Sequence, residues 1–306
     1  MKKLSLAITA LSAVFLMQAQ VLQVASIERI NTPQSEATAV VAGISPDGDY
    51  LLLTSDTQTG LVKFDLATQA ATTLTTAERA GWNVRFSGDG KDIIYEEAST
   101  TADRLRVRAL KTLNVATKQA KTLIEPTRDM KAVEVYNKTA PIIADKTTRK
   151  GAKGTVSTQA KKPEVFNEMF NLYVTTADGN TQLFAPNGEG LTYHWASISP
   201  DGTKMVYYVS ELLGCFVCNL EGGQPIAMGD ITAPQWYDNN TIIGMNDRDN
   251  GSYVVESTIV AHTLDGKSQS LTDDSVIAMY PYASKEGSKI AFSTPTGEAY
   301  IINVNK

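Results

Sequence analysis

Few residues of this chain could do chemistry, and their spacing limits what chemistry that is. Two histidines, His194 and His262, and two cysteines, Cys215 and Cys218, do not make the set of nitrogen and sulfur ligands that a structural zinc site needs. A Cys-x-x-Cys pair suggests redox or metal work, but Cys215-Phe216-Val217-Cys218 reads as part of a strand. Residues three apart on a strand face opposite ways, about 10 Å apart, beyond the roughly 7 Å between Cα atoms that a disulfide tolerates. Two small thiols, buried or half-buried, are the expectation. His194, beside Trp195, could serve as an acid or base, yet spacing supplies no partner and no Ser/His/Asp set. The run Asn246-Asp247-Arg248-Asp249-Asn250-Gly251 alternates carboxylates as a calcium loop does, without the further acids and distal glutamate of one. Turn chemistry accounts for it. Asp247 and Asp249 are the metal candidates, and the expectation is no metal, no other cofactor and no catalytic residue.

A second set is aromatic and polar: Trp82, Arg85, Tyr193, His194, Trp195, Gln235, Trp236, Tyr280 and Tyr282, which includes all three tryptophans. Aromatic side chains with convergent polar groups around a concavity are the usual build of a ligand or peptide site. Trp236 occupies the slot that Ile44, Phe86 and Ile198 fill elsewhere, and there it reads as core. Trp82 and Trp195 fit either use, since tryptophan serves both.

The elements that must position these residues come from a repeat. Ile198-Ser199-Pro200-Asp201-Gly202 runs into Met205-Val206-Tyr207-Tyr208, and the pattern recurs at Ile44-Ser45-Pro46-Asp47-Gly48 and Phe86-Ser87-Gly88-Asp89-Gly90. Weaker copies stand at Trp236-Tyr237-Asp238-Asn239-Asn240 and Ser284-Lys285-Glu286-Gly287. Each reads as strand, tight turn, strand: proline presets φ, aspartate bonds its own backbone and glycine takes positive φ. Residues 40–76 then supply four short strands, one propeller blade, and residues 82–126, 193–228 and 233–272 repeat the grammar. The third copy is worn, with strands expected at 133–136, 141–144 and 170–174. A basic insertion at 145–163, carrying Lys146, Arg149, Lys150, Lys153, Lys161 and Lys162, has no apolar face to bury and reads as a solvated loop. The last copy is one strand short, and residues 21–30 are one strand spare. The expectation is an all-β, six-bladed propeller of four-stranded antiparallel blades, its last blade closed by an N-terminal strand, which removes the open edge.

Composition agrees with a folded, exported chain. At 306 residues, 42% hydrophobic and 20% charged, with net charge -5, it is globular and lacks the basic footprint of a nucleic-acid binder. Lys2 and Lys3, the apolar run from Leu4 to Met17 and Ala19 read as a signal peptide over residues 1–19, cleaved near Ala19. The run is too short for a membrane span, and no stable membrane insertion is expected of residues 20–306.

The Ser-Pro-Asp-Gly turns resemble the repeats of TolB-type six-bladed β-propellers and of the propeller domains of dipeptidyl-peptidase-IV-like and prolyl-oligopeptidase-like proteins. The resemblance runs from about Val40 to the end and is specific for fold, since propellers host unrelated activities. It departs in three ways. TolB carries a further α/β domain, for which this chain has no room. The peptidases carry a Gly-x-Ser-x-Gly elbow, absent here. The related oligogalacturonate lyases use a histidine-rich metal site, for which two histidines are too few. The functional expectation is an exported non-catalytic propeller, periplasmic or secreted, acting as a protein- or ligand-binding module in the cell envelope, with an envelope protein or peptide as its partner. The alternative is a carbohydrate-active lyase or hydrolase with a channel site for a small glycan, metal-dependent or not.

Overall fold

The computed structural model describes residues 20–31, 40–128, 130, 163–168, 170–176, 180–284, 286 and 288–305. The signal segment at 1–19, the expected strands at 133–136 and 141–144, and the insertion up to residue 162 lie outside them. Strand β1 (Gln23–Ile30) comes first. Blade one is β2 (Val40–Ile44), β3 (Tyr50–Thr54), β4 (Leu61–Asp65) and β5 (Ala71–Thr75). Blade two is β6 (Arg85–Phe86), β7 (Asp92–Thr100), β8 (Arg106–Asn114) and β9 (Ala120–Thr127). A three-stranded sheet follows, of β10 (Glu164–Glu168), β11 (Asn171–Thr175) and β12 (Thr181–Leu183). Blade four is β13 (Tyr193–Ile198), β14 (Lys204–Val209), β15 (Gly214–Asn219) and β16 (Ile226–Gly229). Blade five is β17 (Thr232–Trp236), β18 (Thr241–Asp249), β19 (Val254–Thr263) and β20 (Ser268–Ser270). Blade six is β21 (Met279–Ala283), β22 (Lys289–Ser293) and β23 (Ala299–Asn305), and β1 completes it by pairing antiparallel with β23.

This is an all-β propeller of small antiparallel sheets. Six four-stranded blades were expected and five are found; the third repeat contributes three described strands. The partner of β11 is β10, so the strand before it begins at Glu164 and not at 141–144.

Apolar side chains meet between neighbouring sheets. Leu172 and Val174 pack with Tyr193 and Tyr207, Val206 and Val217 with Ile242 and Val260, and Ile243 and Ile259 with Ile290 and Phe292. Ala291 and Ile301 reach back to Val41 and Phe64, and Leu52 meets Ile93 and Tyr95. Cys215 and Cys218 are free and buried, and they belong to two different layers, one on each face of blade four. Polar ties cross the same seams. Tyr50 donates its hydroxyl to Gly90 O at 2.7 Å, Trp236 Nε1 donates to Ser197 O at 3.1 Å, and Val41 N donates to Ser293 Oγ at 2.7 Å.

The repeated turn works through a buried serine. Ser199 Oγ donates to Asp201 at 2.6 Å and accepts from Lys204 N at 2.9 Å, so one hydroxyl fastens the turn to the next strand. Ser45 and Ser87 do the same. The Ser199 hydrogen bond, with those from Thr203, holds the Asp201 carboxyl down at about 2. Asp89 is lowered by Ser87, and Asp47 is lowered because the bond from Ser45 and its backbone bonds outweigh burial. A carboxyl depressed in the folded state stabilises above its unfolded value of 3.8, and that contribution is lost as pH falls toward about 2. Urea midpoints are therefore expected to hold down to about pH 4 and then fall. In Ser199→Ala the fall should be shallower, because the Asp201 shift shrinks; an unchanged slope would count against the turn as its source.

Candidate ligand-binding rim

Antiparallel order puts two kinds of connection at opposite ends of the sheets. At one end lie the Ser-Pro-Asp-Gly-type turns and the turns between third and fourth strands, the turn rim. At the other lie the starts of β6, β13, β17 and β21 with the hairpins between second and third strands, the hairpin rim. The two rims differ in surface. Of the eleven exposed large apolar side chains among the described residues, eight lie on the hairpin rim: Trp82, Leu105, Phe170, Trp195, Leu212, Leu213, Tyr253 and Tyr280. The other three, Ile27, Leu183 and Ile226, lie on outer strands. Among the described residues the turns of the turn rim hold none, and only Ile226, the first residue of β16, borders that rim.

A shared backbone device aims several of these residues outward. β13, β17 and β21 each hold one extra residue against their partner strand, between His194 and Ser197, Thr232 and Gln235, and Met279 and Tyr282. Trp195, Ala233 and Tyr280 fall in those bulges at φ of 49°, 47° and 53°, and Asn83 stands at 52° just before β6. A left-handed conformation costs a non-glycine residue about 1–2 kcal/mol, and a bulge re-aims the side chain it carries. Proline is tolerated in a strand where the ladder is broken, which is where Pro234 and Pro281 sit.

The predicted residues divide accordingly. Trp82 is 43% exposed, with the Arg79 guanidinium 4.9 Å from its ring centroid. Trp195 is 45% exposed and meets Tyr208 edge-on at 5.5 Å. His194 is half-buried between Phe170 at 5.7 Å and Trp195 at 5.8 Å. Tyr280 is exposed, and Arg85, Gln235 and Tyr282 are half-buried. Burial pushes the Tyr282 phenol up against the pull of the Arg85 charge, with Tyr280 adding to the rise.

Two members sit elsewhere. Tyr193 is buried at 2% and packs on Tyr207. Its hydroxyl donates to Gly188 O at 2.9 Å and accepts from Asn187 N at 3.2 Å, so it holds the loop before β13 in place. Trp236 packs in the layer between blades four and five, its indole nitrogen engaged with Ser197 O. Asp247 accepts from the Thr232 hydroxyl, and Asp249 accepts from Gly251 N at 2.7 Å as turn chemistry requires. No group of three or more metal-ligating side chains occurs among the described residues. His262 lies on β19, where burial pushes its pKa down. Sequence reasoning missed Phe170, Leu105, Leu212, Leu213 and Tyr253, apolar residues in hairpins whose grouping appears only when the blades stand side by side.

No family model and no curated protein matches this chain. Among solved structures, an oligogalacturonate lyase in complex with manganese is 13% identical, with TM-score 0.47 over 86% of this chain and 76% of that one. TolB from Acinetobacter baumannii is 12% identical, with TM-score 0.47 over 89% of this chain and 55% of that one, so the chain spans about half of TolB's length. A chain of the mitotic checkpoint complex is 8% identical, with TM-score 0.51 over 100% of this chain and 99% of that one. The last is a likeness of fold alone. No helix among the described residues is long and apolar enough to cross a membrane.

Proposed function

We propose that this chain is an exported propeller whose hairpin rim binds a partner protein or peptide, with no chemistry of its own. The observation that carries the reading is the one-sided surface: among the described residues, eight exposed large apolar side chains lie on one rim and none in the turns of the other, which only Ile226 borders. Contiguous exposed apolar surface rimmed by polar groups marks interaction sites, and aromatic residues dominate their energetics. The sheet of β10, β11 and β12 counts, in this reading, as a further blade of the ring. In its support, β10 packs against β13 as β14 packs against β17 and β18 against β21, which is the place of a second strand. Export follows from the signal-like segment at 1–19, and the partner is then a component of the cell envelope or its surroundings.

Photo-cross-linking tests the assignment of the face. A benzophenone side chain at Tyr253, 76% exposed on the hairpin rim, is expected to cross-link a partner in an envelope extract of the source cells. The same group at the exposed Glu221, in the turn between β15 and β16, is expected not to. A partner trapped from Glu221 and not from Tyr253 would move the site to the turn rim.

A further inference from the structure

The hairpin rim carries two exposed tryptophans in opposite surroundings. Trp82 is completed within the chain, because Arg79 lies over its ring and is itself held by Glu96 at 2.6 Å. Trp195 is as exposed, 45% against 43%, but no cation lies over it among the described residues. Its neighbours are other rings, in a row from Phe170 through His194 to Trp195 and Tyr208 at centroid spacings of 5.7, 5.8 and 5.5 Å. Phe170 is 62% exposed, so the row offers an open face.

Carboxylates flank that face. Tyr208 donates its hydroxyl to Asp230 at 3.4 Å, and Glu211 accepts from the Thr192 amide at 2.8 Å and hydroxyl at 2.6 Å. Burial, then the charges of Asp230 and Asp247, push the Tyr208 phenol up to about 12, as a negative local field does. Arg248, on the neighbouring β18, is taken by Glu256. An aromatic face in a negative field attracts a cation, and more strongly where water is excluded. We propose that the Phe170–His194–Trp195 face docks a basic segment of the partner protein, with an arginine or lysine cation over Trp195 and Asp230 as its counter-charge. Arg79 over Trp82 is the same arrangement made within the chain. The proposal rests on the hairpin rim being the binding face, and it states what blade four's share of that face recognises.

The test uses calorimetric titration of the chain with a blocked octapeptide of alternating glycine and arginine at low ionic strength. The neutral isostere, with citrulline for arginine, is titrated beside it. The arginine peptide is expected to bind and the citrulline peptide not. Trp195→Ala should weaken binding about tenfold, Trp195→Phe should restore part of it, and Asp230→Asn should weaken it with the fold intact. Glu221→Gln, the same kind of charge removal on the turn rim, should change nothing. Equal binding by Trp195→Ala, equal binding of the citrulline peptide, or silence of the arginine peptide at about 1 mM, an affinity of only about 4 kcal/mol, would each overturn the proposal. Cross-linking from Tyr253 that persisted beside such a result would leave the binding face standing and remove only the cation.

Discussion

A chain shortened to begin at residue 32 is expected to lose cooperative unfolding and to self-associate. Strand β1 pairs with β23 from Gln23 to Ile30, so its removal strips a ladder and bares the edge of β23. Unpaired strand edges template pairing with other chains. Asn303 Nδ2 donates to Ser26 Oγ and to Glu28, each at 2.8 Å, and Arg29 pairs with Glu298 at 2.7 Å. Ahead of the strand, Gln269 grips the chain: its Oε1 accepts from Val21 N at 2.7 Å and Leu22 N at 2.9 Å, and its Nε2 donates to Leu22 O at 3.0 Å. Leu22 is buried in the layer between blades five and six. At about 1 kcal/mol per hydrogen bond and about 1.5–3 kcal/mol for a buried leucine, the loss rivals the 5–15 kcal/mol that holds a typical domain together. Urea unfolding followed by tryptophan fluorescence, with sedimentation, reads both effects. A monomer with the full-length midpoint and slope would show that closure by β1 is dispensable.

Gly244→Ala is expected to destabilise the fold by about 3 kcal/mol, at the upper end for an overpacked core. Gly244 lies on β18 opposite the bulge of β17. A Cβ there would fall 2.2 Å from Ile231 Cγ2, 2.9 Å from Thr232 O and 3.5 Å from Pro234 Cα. Ile231 is 1% exposed and has nowhere to swing, and Thr232 is fixed in the ladder against Met245. The need is for space, and not for a left-handed backbone. A midpoint shift equivalent to less than about 0.5 kcal/mol, the range of neutral surface changes, would show that the bulge can move aside.

The turn chemistry made most of the architecture legible. Ser199, Asp201 and Gly202 do in the structure what their types suggest, and the second and third strands of blade one stand where the apolar runs put them. The spare strand and the short last repeat likewise foretold the pairing of β1 with β23. The bulges were harder to read. Alternation counted back from Ile198 slips by one residue at Trp195, so Tyr193, grouped by sequence with the exposed rim, turns into the core. Such a shift reverses the face of every residue beyond it. Pro234 and Pro281 were signals of the same bulges inside what otherwise read as strands. The worn third repeat misled because 141–144 is as apolar as a strand, while β10 lies beyond the basic insertion. The requirement at Gly244 could not be read at all, since Ile231 and Thr232 crowd it only after pairing.

The most direct test of the hairpin rim as the binding face is partner capture from an envelope extract by the chain and by its Trp82→Ala/Trp195→Ala double variant, with matched urea midpoints. Both tryptophans are nearly half exposed, so the fold should survive their loss. The account predicts that the partner cross-linked from Tyr253 is retained by the parent chain and lost, by about tenfold or more, from the variant, as truncating two central aromatic anchors implies. Equal retention by the two would contradict it.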